Sequence, residues 1–399
     1  MKTPKEHTLC SDFALCAISD METCQNIRLT RYLYIYDEVV YSLITSLLMR
    51  KDIHVCYYLV SELYATDAES VFELLWKIYF DFYAENHPTL ETCLANKHRA
   101  WRTAPEIRPV IFIIKNMFQM QGSPTVFHLR QFVENNGKCL CLYRLHEKML
   151  IKRGWKDHPK LVCRLFIAIE RGHIQNAGCY IFKLLESFSS DIIYFMLVDY
   201  FSGYVSLKKI DNIRSRWKKR IWSDDGHMLL AFIVSMLEPV KNIVRRIAFK
   251  PPSDTEMKFI KEISCVDGML RYRILREKRN NVLVPEIASF QLARHSMVCD
   301  DMIDKVRDNW EYYAIRTPLW KKRFARFGGR VEERKVVFPS EDNEERFYEE
   351  FGLELDEQSL DVQNMGFTHG MKCGWHGWYK KVFEGSPRII LNTDYSYIW

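Results

Sequence analysis

The spacing of apolar side chains constrains this chain more than any other feature, because it follows the 3.6-residue period of an α-helix along most of the sequence. The first helical face is formed by Val40, Leu43, Ile44, Leu47 and Leu48. A polar break at residues 50–52 follows, and a second helix is predicted from His54 to Ala65. Successive amphipathic helices joined by short turns favour helical hairpins. The pattern therefore predicts a mainly α protein of multi-helix antiparallel hairpins, either an irregular α-solenoid or a bundle, with a small β element near the C-terminus.

Capping residues indicate where several of the predicted helices begin and end. Thr66 and Glu69 have the spacing of a capping box and predict a helix start at Thr66. Ser123 with Pro124 predicts another start, and Gly172 predicts a helix end. Thr317 with Pro318 predicts the end of a helix.

Changes in composition predict three regions. No fixed repeat period is present, so a consensus repeat family is not predicted. Pro251 and Pro252 are the best linker candidate, and the segments from Val331 to Phe338 and from Arg388 to Trp399 have strand-like patterns. The predicted regions are an N-terminal arm over 1–30, a helical domain over 31–250, and a C-terminal α-rich region with short strands over 253–399.

Bulk composition is that of a globular intracellular protein. Aromatic residues make up 14% of the chain and the net charge is only +6, so extensive disorder is not expected. The twelve cysteines form no CxxC pair, and Cys56 and Cys163 lie within apolar helical patterns, which predicts buried, reduced thiols. We expect no signal peptide and no membrane span, since the longest apolar stretch, from Met228 to Leu237, is too short to cross a bilayer.

No common catalytic motif is present. The sequence contains no GxxxxGK[ST] loop, no HExxH, no GxSxG and no EF-hand pattern. A reactive site assembled from distant positions is not excluded by this test. The absence of motifs nevertheless favours a non-enzymatic protein that needs no cofactor.

The clearest charged constellation is a basic amphipathic helix predicted over 206–222. One face of this helix is apolar and includes Trp217, and lysine and arginine side chains occupy the rest of its surface. The candidate nucleic-acid-binding residues are Lys208, Lys209, Arg214, Arg216, Trp217, Lys218, Lys219 and Arg220. The cations could follow a phosphate backbone and Trp217 could stack on an unpaired base. A helix packed on the core, with a solvated cationic face, is the ordinary alternative.

A second candidate is a zinc site in the C-terminal region. His295 and Cys299 are four residues apart on a predicted helix, and Cys373 and His376 have ligand-like spacing. The four side chains would complete a Cys2His2 site if the two pairs met. Ordinary packing of the two pairs is the alternative. A zinc cofactor is expected only if the four side chains form this site.

Two further clusters have both a functional and a structural interpretation. An acidic stripe of Asp300, Asp304 and Asp308 could hold Mg²⁺, but such a stripe is more often a solvated helix face. An aromatic cluster could form a stacking platform, although helical spacing favours a place in the core. Its members are Trp76, Tyr79, Phe80, Phe82 and Tyr83.

Three stretches give the chain a recognisable likeness: SLITSLLMRKDIHVCYYLVSELY with FELLWKIYFDFY, TPLWKKRFARFGG, and EERFYEEFGLELDEQ. Through them the chain resembles uncharacterised helical proteins of nucleocytoplasmic large DNA viruses, the giant viruses, over about residues 38–363. It also resembles, more weakly, the helical collar domain of clamp-loader-like ATPases through the turn Arg50, Lys51 and Asp52, without the ATPase motor. The resemblance implies no active-site residues.

Together these observations predict a helical protein-interaction or assembly protein, of viral origin, acting in the host cytoplasm or the virion. Its expected partners are other proteins. Nucleic acid bound by the helix over 206–222 is the first alternative, and a zinc-dependent site is the second. The oligomeric state is left open.

Overall fold

The fold is mainly α-helical, as predicted: in the computed structural model, 73% of the described residues are helical. The structure describes residues 28–31, 36–50, 52–136, 143–204, 217, 225–237, 248–264, 309–333, 335–351, 390–391 and 397–398. The chain divides into two compact units, one of Met1–Val71 with Pro252–Glu384 and the other of Phe72–Pro251 with Gly385–Trp399. The three regions predicted from composition stay a prediction.

The first unit brings together helices from both ends of the chain. Its helices are α1 (Tyr36–Met49), α2 (Ile53–Thr66), α12 (Asp254–Ser264), α13 (Trp310–Ala314), α14 (Pro318–Arg326) and α15 (Glu341–Phe351). Strands β1 (Arg330–Glu332) and β2 (Lys335–Val337) form an antiparallel hairpin between α14 and α15.

The second unit carries most of the remaining helices. They are α3 (Ala68–Ile78, of which the first four residues belong to the first unit), a π-helix (Tyr79–Tyr83), α4 (Pro88–Thr103), α5 (Arg108–Gln119), α6 (Thr125–Asn136), α7 (Glu147–Lys152), α8 (Lys160–Glu170), α9 (Ile174–Leu185), α10 (Ser190–Ser202) and α11 (Asp225–Leu237). Strands β3 (Ile390–Leu391) and β4 (Tyr397–Ile398) pair antiparallel.

The predicted helical hairpins form in both units. Helix α1 packs against α2 across a turn at Arg50, whose φ is 48°, and the carboxylate of Asp52 caps α2 by accepting from the His54 amide at 2.8 Å. Helix α8 packs against α9 across Gly172, whose φ of 68° suits glycine because it has no Cβ. Arg50 and Gly172 therefore end their helices where the sequence pattern breaks.

Some predicted helix limits are wrong by a few residues. Helix α2 continues through Thr66, whose hydroxyl bonds to the Glu62 carbonyl, and Asp67 caps α3 instead by accepting from the Ser70 amide at 3.3 Å. Thr317 and Pro318 were predicted to end a helix, but they also mark a helix start, since α14 begins at Pro318. Proline fits there because the first helical position needs no amide donor.

An aromatic cluster forms the core of α13, α14 and α15. Trp320 and Phe324 from α14 are fully buried against Phe347 and Phe351 from α15. The Trp320 indole donates to the Thr30 carbonyl at 3.0 Å, which ties this cluster to the N-terminal part of the same unit.

A buried ion pair supports the first unit beside α2. The side chain of Glu62 is fully buried, and its Oε2 accepts from Nε and Nη2 of Arg31 at 3.0 and 2.9 Å. The Arg31 amide donates to the Thr66 hydroxyl at 2.8 Å. Such charge-assisted contacts satisfy a carboxylate that burial would otherwise penalise.

In the second unit, α6, α9 and α11 pack together around a small residue. A Cβ added at Gly178 on α9 would lie 2.9 Å from Cγ2 of Val133 and 3.3 Å from Cδ2 of Leu230. The absence of a side chain at Gly178 therefore lets α9 approach both neighbouring helices closely.

Among the described residues, no helix is both long and apolar enough to cross a membrane.

Candidate functional site

Most of the predicted site residues lie outside the described part of the chain. This holds for Lys208, Lys209, Arg214, Arg216, Lys218, Lys219 and Arg220 of the predicted basic helix, for the four predicted zinc ligands His295, Cys299, Cys373 and His376, and for Asp300, Asp304 and Asp308. Nucleic-acid binding and zinc binding by these residues therefore stay predictions. Trp217 is the member of these sets that the structure describes.

Trp217 packs into the second unit. Its indole ring lies parallel to the Tyr194 ring, with centroids 3.8 Å apart and an interplanar angle of 7°, and the residue is 6% exposed. Its Nε1 donates to Oδ1 of Asp191 at 2.6 Å. Stacking of Trp217 on a nucleic-acid base would require the indole to leave this position, because the residue is almost completely buried.

Trp217 also borders a small pocket in the second unit, of about 80 Å³. Its walls come from the π-helix, α4, α10 and α11. The lining residues are Tyr79, Phe80, Ala84, Pro88, Glu91, Tyr194, Trp217, Met228, Ala231, Phe232 and Ser235. Largely apolar concave sites with a few polar groups are the usual form of ligand-binding sites.

The π-helix places two aromatic side chains at the pocket. The amide of Ala84 donates to the Tyr79 carbonyl at 2.8 Å, which is the i→i+5 bond of a π-helix. Tyr79, Phe80 and Ala84 line the pocket. Short π-helical segments are frequent at functional sites.

A buried ion pair anchors the π-helix. Asp81 accepts two bonds from Arg130 on α6, from Nε at 3.0 Å and from Nη2 at 2.7 Å. Nε2 of His227, on α11, lies 3.6 Å from Oδ1 of Asp81. One carboxylate of the π-helix therefore bonds to α6 and lies near α11, and both the π-helix and α11 contribute residues to the pocket.

The aromatic cluster of the sequence analysis is buried, as its helical spacing indicates. Trp76, Tyr79, Phe80, Phe82 and Tyr83 are each at most 6% exposed.

Trp76 also bonds to a buried histidine. Its Nε1 donates to Nδ1 of His98 at 3.1 Å, and the His98 ring stacks on Phe72 at a centroid distance of 4.5 Å. Burial, with a smaller contribution from the Arg102 cation, lowers the pKa of His98 to about 4. His98 is therefore a neutral acceptor at neutral pH.

The outer face of α10 carries large apolar side chains. Ile192 is 45% exposed and Phe195 is 41% exposed, three residues apart on one side of the helix. Asp191 and Asp199 are exposed beside them. Since Tyr194 lines the pocket and Phe195 faces outward, α10 separates the pocket from this surface, which we call the α10 surface: Asp191, Ile192, Phe195 and Asp199.

The described cysteines and possible metal ligands show no reactive cluster. Cys56 and Cys163 are buried free thiols, as predicted, and burial raises the pKa of both above its ordinary value. Within the described residues, no group of three or more His, Cys, Asp or Glu side chains is arranged to hold a metal ion.

The pocket as a unit was not predictable from the sequence. Trp217 and the aromatic residues 76–83 stood out separately, but nothing in their spacing indicates that segments about 140 residues apart would line one cavity. Comparisons of the chain with protein-family models, with curated proteins and with solved structures give no match.

Proposed function

We propose that this chain is a helical interaction protein that binds another protein through the α10 surface. The observation that carries the proposal is the exposure of Ile192 and Phe195 on the outer face of α10, because neighbouring large apolar side chains on a surface are typical of a protein contact. The resemblance to giant-virus proteins supports a partner met in the infected cell or the virion.

The composition of α10 supports this role. Its sequence, SDIIYFMLVDYFS, is apolar around nearly the whole helix, which is the pattern of a helix covered on all sides. Ile193, Tyr194, Leu197 and Val198 pack inward, whereas Ile192 and Phe195 face outward. The exposed Asp191 and Asp199 favour a partner surface that combines apolar side chains with lysine or arginine at its rim.

The test is co-purification of the full chain from its native source, comparing the original protein with the double variant Ile192→Glu/Phe195→Glu. Two carboxylates placed in an apolar contact should remove a specific partner. Ile151→Glu on α7 is the matched control, because Ile151 is also an exposed apolar residue, at 55%, in the same unit.

The expected result is a protein that is recovered with the original chain and with Ile151→Glu but lost with the double variant. Recovery of the same proteins with all three chains would overturn the proposal. Sedimentation of the purified chain over a concentration series identifies the case in which the lost partner is a second copy of this chain.

A further inference from the structure

Helix α7 in the second unit carries a short amphipathic surface that is open to solvent. None of its residues from Glu147 to Lys152 is buried. Lys148, Ile151 and Lys152 follow one another at spacings of three and one residues, and Lys148 and Lys152 are four apart, so all three lie on one side of the helix. Both lysines are exposed, and Ile151 is 55% exposed. Two lysines therefore lie beside an outward-facing isoleucine.

Trp155 attaches this helix to the rest of the unit. The Trp155 amide donates to the Leu150 carbonyl at 2.8 Å, and Gly154 makes the turn with a φ of 69°. The Trp155 residue is 8% exposed, and its indole packs on Phe166 of α8 and Tyr200 of α10, with ring centroids 5.2 and 6.1 Å away. Through this indole, α7 contacts both helices while its lysines and isoleucine face solvent.

An exposed tyrosine lies close to the same turn. The Tyr204 ring is 5.6 Å from the Tyr200 ring, which in turn contacts Trp155. Tyr204 is 70% exposed. Among the described residues, Tyr204 and Ile151 are the most exposed large apolar side chains. The two therefore lie near a single buried tryptophan, although they are more than fifty positions apart in the sequence.

The charge around α7 is positive. Segment 144–160 holds six lysine or arginine residues and two acidic residues, namely Arg144, Lys148, Lys152, Arg153, Lys156 and Lys160 with Glu147 and Asp157. Arg153 is paired with Glu170 at 2.8 Å, whereas Lys148, Lys152 and Lys156 are exposed. We call the exposed set the α7 surface: Lys148, Ile151, Lys152, Lys156 and Tyr204.

This composition favours an anionic lipid surface over other anionic partners. Lysines near a bilayer are attracted by anionic headgroups, and apolar or aromatic side chains beside them enter the headgroup region. A stable protein contact usually covers about 800 Å² on each partner, which is more than a helix of six residues and one tyrosine offer. A nucleic-acid backbone would attract the lysines but gain nothing from Ile151.

We propose that the α7 surface docks this protein on a bilayer that carries anionic headgroups. Ile151 and Tyr204 enter the headgroup region, and Lys148, Lys152 and Lys156 lie against the lipid charges. The contact is peripheral, since few side chains take part in it. It shares no residue with the α10 surface, so its test does not depend on the proposed protein partner.

The test measures co-sedimentation of the full chain with two kinds of vesicle. One kind is phosphatidylcholine alone, and in the other about a third of the lipid is phosphatidylserine. The chain should bind the phosphatidylserine vesicles at least about tenfold more tightly, and added salt should weaken that binding because it screens the lysine charges. Equal binding to the two kinds of vesicle, or no binding to either, would overturn the proposal.

Two charge variants locate the binding. Lys148→Gln/Lys152→Gln removes two charges from the α7 surface and should weaken binding to phosphatidylserine vesicles by about thirtyfold. Lys77→Gln/Arg102→Gln removes two charges at exposed positions of α3 and α4 in the same unit, and should stay within about twofold of the original chain. Equal loss in both double variants, or no loss in the first, would contradict the assigned surface.

A further variant separates lipid from nucleic acid. Ile151→Gln should weaken vesicle binding by about fivefold, because an apolar side chain no longer enters the headgroup region, whereas Ile192→Gln, at another exposed isoleucine, should leave it unchanged. Each chain is also titrated with a short DNA duplex. If Lys148→Gln/Lys152→Gln loses DNA binding but keeps vesicle binding, the surface belongs to nucleic acid and the lipid proposal fails.

Discussion

At the scale of single residues, His98 links burial to pH. Burial lowers its pKa to about 4, against about 6.5 for an unfolded histidine. The unfolded chain therefore binds the extra proton first, and stability falls as pH drops from about 6.5 towards 4. Protonation at Nδ1 would also break the bond from the Trp76 indole.

We therefore predict that His98→Gln reduces the loss of stability between pH 6.5 and pH 4. The amide oxygen of glutamine retains an acceptor for Trp76 but does not take up a proton. The free energy lost over this range should be smaller in the variant by about 2–3 kcal/mol. Urea unfolding at a series of pH values measures it, and parallel stability curves for the two proteins would contradict the prediction.

Also at the residue scale, burial decides how much the Asp81–Arg130 ion pair contributes to stability. We predict that Arg130→Ala lowers the free energy of unfolding by about 3 kcal/mol or more, because it leaves the buried Asp81 carboxylate without its main partner. Arg153→Ala removes a comparable pair with Glu170 at a partly exposed site, and should cost about 1 kcal/mol or less. Chemical unfolding of both variants tests the difference, and equal losses would contradict it.

At the scale of elements, close helix packing at Gly178 gives a further prediction. Gly178→Val should lower the free energy of unfolding by about 2–3 kcal/mol, because the added side chain meets Val133 and Leu230 at distances that require the helices to shift. Gly203→Val is the control, since a Cβ there meets nothing closer than the Tyr200 carbonyl at 3.9 Å. Thermal unfolding compares the two variants, and similar losses would count against the packing argument.

Helix positions were largely predictable from sequence, because their signals are local. Gly172 ends a helix and Asp52 lies in the break before α2, where capping and backbone preferences act within a few residues. The π-helix at 79–83 was not predictable, since its apolar residues also fit a regular α-helix. Within it, Asp81 bonds to Arg130, 49 residues away, a contact that a local sequence pattern does not reveal.

At the scale of the molecule, the mainly α class followed from the apolar period, but the pocket did not. Tyr79, Trp217 and Phe232 come from three segments whose meeting depends on how helices pack, and apolar periodicity carries no information on which helices become neighbours. Trp217 illustrates the consequence. Its place in a basic segment suggested contact with nucleic acid, whereas its ring packs on Tyr194.

The first unit is built from two distant stretches of the chain, Met1–Val71 and Pro252–Glu384. These stretches are synthesised at different times. The bond from Trp320 to Thr30 joins residues 290 positions apart, so this core is completed only after most of the chain has left the ribosome. Residues 72–251 of the second unit are made without interruption before that point. The contact between the N-terminal segment and the C-terminal aromatic residues therefore forms after residues 72–251 have been made.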